Sequence, residues 1–182
     1  MKTDFRNLTF EETQALCKSL SLPGYRAGQI FSAVFKTDAI CEITTLSKEL
    51  RETLSEHYYI GTLTCREKQV SKKDGTVKFL FCLSDSSLIE SVFMRYHHGN
   101  TLCVSTQVGC AMGCAFCAST IGGKVRNLSA AEILEQILAA EKETGEKISN
   151  IVMMGIGEPL DNFDNVVKFL KIVNHKDALN IG

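Results

Sequence analysis

From residue 101 onward the chain alternates apolar strands with amphipathic helices, and this βαβα order narrows the possible folds more than any other feature. A strand pattern at 101–108 (TLCVSTQV) leads into a loop, a helix, a second strand at 150–155 (NIVMMG) and a second helix. A strand as continuously apolar as Ile151-Val152-Met153-Met154 implies a parallel sheet covered by helices, either an open doubly wound sheet or part of a (β/α) barrel. The first helix carries clear start and stop signals. Ser129 and Glu132 form a capping box, Leu128 and Ile133 take the staple positions, and Gly145 follows the end. The second helix is expected to begin near Asn162, with Val166, Leu170 and Val173 on one face. Two βα units are too few to close a barrel.

The residues before 101 follow other periods. Thr9 and Glu12 have capping-box spacing, and Phe10, Ala15, Leu16 and Leu20 then recur at helical intervals up to Leu22-Pro23-Gly24. Amphipathic patterns at 26–35 and 47–58 add two more helices, so 1–60 is expected to be a small helical domain. Alternation then takes over. Val77, Phe79, Phe81 and Leu83 lie on one side of a strand after the Asp74-Gly75 turn signal, and Asp85-Ser86-Ser87 supplies the turn into a strand at 88–94. Residues 61–95 read as a β-meander and 96–182 as the α/β part.

Neither an 18-residue apolar run nor the apolar core of a secretory signal is present, so a cytoplasmic address without membrane contact is the expectation. Thiols stay reduced there, and the eight cysteines then argue for metal binding, redox chemistry or burial in place of a disulfide scaffold. A net charge of -1 gives no general attraction to a polyanion. Any contact with nucleic acid would have to be local.

Spacing separates the cysteines. Cys110, Cys114 and Cys117 lie within GCAMGCAFCAST, among small residues that let a backbone wrap closely. Three thiolates so placed beyond a strand suit a soft metal or an iron–sulfur cluster. No further cysteine or histidine follows until His175, which leaves one coordination position open. The alternatives are three buried free thiols, or a structural module that binds zinc. Cys17, Cys41, Cys65 and Cys82 have no ligand spacing.

CxxxCxxC at this place resembles the radical-SAM superfamily. TLCVSTQVGCAMGCAFCASTIGG, RNLSAAEILEQ and MMGIGEPLDN together resemble the RlmN/Cfr family of rRNA adenine methyltransferases, closer to the RlmN side, and DGTVKFLF, LIESVFM and YRAGQIF extend the likeness over essentially the whole chain. The resemblance implies an α/β fold: a helix-hairpin-helix-like accessory domain, the meander, then the first βα units of a radical-SAM barrel. It also implies a 4Fe–4S cluster held by Cys110, Cys114 and Cys117, with S-adenosylmethionine on the fourth iron.

Further residue roles follow only from that resemblance. Gly155-Ile156-Gly157-Glu158-Pro159 is by itself a tight turn before a helix, whereas the family's matching segment contacts the amino group of S-adenosylmethionine, which selects Gly157 and Glu158. Cys103 alone would be a buried strand thiol; the family makes it the cysteine of a transient disulfide that releases product. Glu90 alternates with Leu88, Val92 and Met94, and by itself is either a strand residue turned to solvent or a carboxylate in apolar surroundings with a raised pKa; the second would suit the family's base that deprotonates the adenine adduct.

The implied reaction methylates carbon 2 of an adenine in large-subunit (23S) rRNA and in tRNA, with an electron donor such as flavodoxin or ferredoxin; methylation of carbon 8, as on the Cfr side, is the alternative within the family. The resemblance also implies a methyl-carrying cysteine beyond the last residue given, Gly182. The expectation is therefore a fragment that keeps the cluster motif and does not turn over alone. Two other classes stand beside it, a non-catalytic RNA-binding fragment and a structural metal module.

Overall fold

Caps and turns start each element where the local sequence places them. In the computed structural model, which describes residues 2–181, Thr9 Oγ1 accepts from the Glu12 amide and the Glu12 carboxylate accepts from the Thr9 amide at 2.7 Å. This box opens α1 (Phe10–Ser19). Helix α2 (Tyr25–Val34) buries Ala27, Ile30, Phe31 and Val34, and α3 (Lys48–His57) is capped by Ser47. A short strand β1 (Thr3–Asp4), not foreseen from the sequence, pairs in parallel with β2 (Tyr58–Tyr59) and draws the two ends of this helical region together.

The expected meander is β3 (Thr64–Val70), β4 (Val77–Cys82) and β5 (Leu88–Tyr96), antiparallel throughout. It continues without interruption into β6 (Gly99–Cys103) and then β9 (Asn150–Val152), giving one sheet of order β3-β4-β5-β6-β9 in which only β6 and β9 run parallel. The sheet is thus mixed. Val77, Phe79, Phe81, Ile89, Phe93 and Leu102 are buried on one face, packed in the same cluster as Ile133, Leu134 and Ile137 of α4 (Ala130–Thr144). The opposite face, carrying Val92, Met94, Thr101, Cys103, Val152 and Met154, forms an open trough of about 750 Å³.

Helix α4 keeps its predicted limits, with the Ser129–Glu132 box at one end and Gly145 at φ +72° at the other. A 3-10 turn (Pro159–Asn162) precedes α5 (Phe163–Val173), whose buried face is Val166, Phe169, Ile172 and Val173. Leu170 is not part of that face: it is 38% exposed, because a helical period carries position 170 round to the rim. No helix among the described residues is long and apolar enough to cross a membrane.

A buried charged group joins the helical region to α4. Arg6, Asp4 and Glu135 converge beside Gly61, where a Cβ would collide with both carboxyl groups. Arg6 Nη1 lies 3.8 Å from Glu135 Oε1, but the guanidinium N–H groups are committed to backbone carbonyls. Burial, reinforced by the charge of Asp4, therefore pushes the Glu135 carboxyl up to about 9. A glutamate that keeps its proton when folded and loses it when unfolded contributes stability that is complete below its ordinary pKa of 4.5 and lost as pH rises toward about 9. Glu135→Gln removes that dependence, and urea titrations at pH 6 and pH 8 should show the variant gaining about 1–3 kcal/mol over the parent at the higher pH.

Candidate functional site: a cysteine hairpin at the end of an open sheet face

The strand expected at 101–108 does not run straight through. It breaks after Cys103, because the backbone groups of Ser105 bond to a side chain: Gln136 of α4 accepts from the Ser105 amide at 2.8 Å and donates to its carbonyl at 2.9 Å. The chain then leaves the sheet as β7 (Gln107–Gly109), which pairs antiparallel with β8 (Lys124–Asn127). The cysteine loop is the tip of this hairpin, and a strand, not the expected helix, follows it.

Backbone geometry closes the loop at its base. The Cys110 amide donates to Gly123 O at 3.1 Å, and Gly109, at φ +71°, lies so close to Gly123 that a Cβ would strike that carbonyl. Within the loop the Cys117 amide donates to Cys114 O at 3.0 Å. Cys110 is buried at the base, Cys114 is exposed and Cys117 is half-buried. All three are free thiols.

Among the described residues no three thiols, imidazoles or carboxylates converge on a point as they would around a single ion. A cubane cluster makes a different demand, since each thiolate binds its own iron corner and the sulfurs stand further apart. Three unpaired cysteines on one small-residue loop, tethered at its base and open at its tip, are a donor set that fits such a cluster. His175 offers no fourth ligand: its ring stacks on Phe10 at 4.5 Å and meets Phe31 edge-on at 5.1 Å.

Gly157 and Glu158 lie across from the base of the hairpin. Gly157 has φ +109°, and the Glu158 amide donates to Gln107 Oε1 at 2.9 Å. The Glu158 carboxylate accepts from the Leu160 amide at 3.0 Å, capping its own 3-10 turn. Cys103 ends β6 on the open face, half-buried between Val92 and Val152 in register, and burial raises its thiol pKa above the ordinary cysteine value. Glu90 lies on the same face, diagonal to Cys103, which places the two residues roughly 7–8 Å apart at Cα.

Of the two settings open for Glu90, the structure shows the solvent-facing one. Alternation does put it beside Val92 and Met94, but its carboxylate is 41% exposed and pairs with Lys78 Nζ at 2.6 Å, because Lys78 occupies the same face of the adjacent strand. Lys68 also has a partner within the chain, donating to Glu143 O at 2.6 Å. Sequence reasoning passed over Ser105, Gln107 and Gln136, buried polar residues that shape the hairpin. Their only signal was polar residues at 105–107 at the end of an apolar strand.

Comparison with known proteins agrees with this geometry. The profile of the Radical SAM superfamily matches residues 104–181. The probable dual-specificity RNA methyltransferase RlmN of Alkaliphilus oremlandii is 50% identical over 182 residues, 100% of this chain and 53% of that protein. Its counterpart in Alkaliphilus metalliredigens is 53% identical over 182 residues, again 100% of this chain and 52% of the relative. The crystal structure of a radical SAM methyltransferase from Sphaerobacter thermophilus superposes with a TM-score of 0.86 at 37% identity, covering 99% of this chain and 54% of that one. The chain thus spans about half the length of the relatives it matches. Profile, sequence and fold agree in one likeness: residues 104–181 match the Radical SAM superfamily, and the chain along its whole length is similar to the RlmN methyltransferases.

Proposed function

We propose that this chain forms the cluster-binding and S-adenosylmethionine-binding part of an RNA methyltransferase that acts on carbon 2 of an adenine in large-subunit rRNA and in tRNA. The observation that carries the reading is the common placement of Glu90 and Cys103 on one open sheet face, at the end from which the cysteine hairpin leaves. The names of the relatives support RNA as substrate, and their dual specificity supports two RNA classes.

In this reading Cys110, Cys114 and Cys117 hold the cluster, and Gly157 and Glu158 take the amino group of S-adenosylmethionine. Bound together, these cofactors supply the electron and radical chemistry that a non-nucleophilic ring carbon requires. Glu158 exchanges its bond to the Leu160 amide for the ligand. Glu90, fixed by Lys78, takes the proton from the adenine carbon. Cys103 must lose its own proton before it can form a disulfide, and it stands on the open trough where a second sulfur can reach it.

Anaerobic reconstitution with iron and sulfide should give a brown protein with about four irons per chain. S-adenosylmethionine should then change the electron paramagnetic resonance spectrum of the reduced cluster. A colourless protein that takes up zinc in preference would overturn the cluster assignment. A chimera in which these 182 residues replace the matching half of the Alkaliphilus oremlandii protein tests the position of methylation. Nucleoside analysis of treated rRNA should find 2-methyladenosine, and 8-methyladenosine in its place would reassign the reaction.

A further inference from the structure

Gln107 is the one fully buried carboxamide that joins the base of the cysteine hairpin to the Gly157–Glu158 turn, and its solvent exposure is 0%. Its Oε1 accepts from the Glu158 amide at 2.9 Å, while its Nε2 donates to Asn127 Oδ1 at 2.7 Å and to Asp161 Oδ2 at 2.8 Å. The three partners sit on three segments: the turn after β9, strand β8, and the 3-10 turn before α5. Lys124 Nζ holds the shared Asp161 oxygen at 2.7 Å, so the network includes both strands of the hairpin. Gly157 packs against the stem of Gln107, and a Cβ there would lie 2.7 Å from Gln107 Cβ.

The chemistry of this site excludes most other residues. One acceptor and two donors in a single plane are what a carboxamide offers. A glutamate would still accept from the Glu158 amide but would face Asp161 with like charge and offer Asn127 no donor. The break in the strand has its own support, Gln136 on Ser105. The contacts of Gln107 therefore add alignment between two loop segments, outside the apolar core.

We propose that Gln107 is a positioning residue for the S-adenosylmethionine site, fixing the Gly157–Glu158 backbone relative to the hairpin that carries the cluster cysteines. The inference rests on the reading of Gly157 and Glu158 as contacts to the amino group of that ligand. A shift of this turn changes how the ligand is held and leaves the thiol spacing of the loop alone.

The test compares the parent, Gln107→Glu, and the double variant Gln107→Glu with Asp161→Asn, each reconstituted anaerobically. Iron per chain, thermal midpoint and the spectral response of the reduced cluster to added S-adenosylmethionine are read in parallel. The single variant should bind iron like the parent and weaken the apparent affinity for S-adenosylmethionine by about tenfold or more. The double variant should return to within about threefold of the parent, because the carboxamide introduced at 161 donates to the carboxylate introduced at 107. A single variant whose affinity stays within about twofold of the parent overturns the proposal. If the single variant does not fold, the double variant decides, and one that folds but binds weakly also overturns it. Failure of the underlying reading looks different, since the parent itself would then carry iron and give no response to S-adenosylmethionine.

Discussion

Arg6→Met lowers the free energy of unfolding by about 3–5 kcal/mol, because three backbone carbonyls lose their donor at about 1–3 kcal/mol each. Arg6 is 3% exposed, and its Nε, Nη1 and Nη2 donate to the carbonyls of Val34, Gly61 and Thr37 at 2.9, 2.8 and 2.8 Å. Two of these carbonyls lie at or just past the end of α2, where a helix leaves its last acceptors without partners and a cation is favoured. Methionine fills the volume of the stem and supplies no donor. Urea denaturation at pH 7 followed by circular dichroism measures the effect, and a loss below about 1 kcal/mol would show that water or relaxation replaces the guanidinium.

Cys114→Ala and Cys117→Ala act in the opposite manner, sparing the fold and abolishing the cluster. Both side chains belong to the hairpin tip, outside the apolar core, so the thermal midpoint of the metal-free protein should barely move. Bound iron after reconstitution should fall from about four per chain to well below one, with loss of the brown absorption. Cys41→Ala is the control, since Cys41 is also an exposed free thiol but lies outside the motif. Equal iron loss in that control would mean that iron binds nonspecifically to exposed thiols.

Features governed by residues three or four apart, or by strict alternation, were legible in the sequence. The boxes at Thr9–Glu12 and Ser129–Glu132, the left-handed Gly145 and the meander strands all depend on near neighbours along the chain. The cysteine loop was legible for the same reason, as its donors lie close together in sequence. What was not legible depends on which segment arrives opposite. Alternation told which face Glu90 occupies but not that Lys78 would meet it there. Nothing local marks Arg6 as the residue that caps α2, or Gln107 as the link to Glu158. The departure of β7 from the sheet follows from Gln136 on α4, whose choice of Ser105 is a tertiary event.

Phe5, Ile30 and Phe31 of the helical region lie in the same apolar cluster as Phe79 and Phe93 of the sheet, Ile133 and Ile137 of α4, and Phe169 of α5. A cluster shared in this way couples the thermodynamic fates of its contributors. The amino-terminal helices are therefore not a detachable module: excising them would strip apolar cover from α4 and α5, and heating should melt helices and sheet together, in one cooperative step.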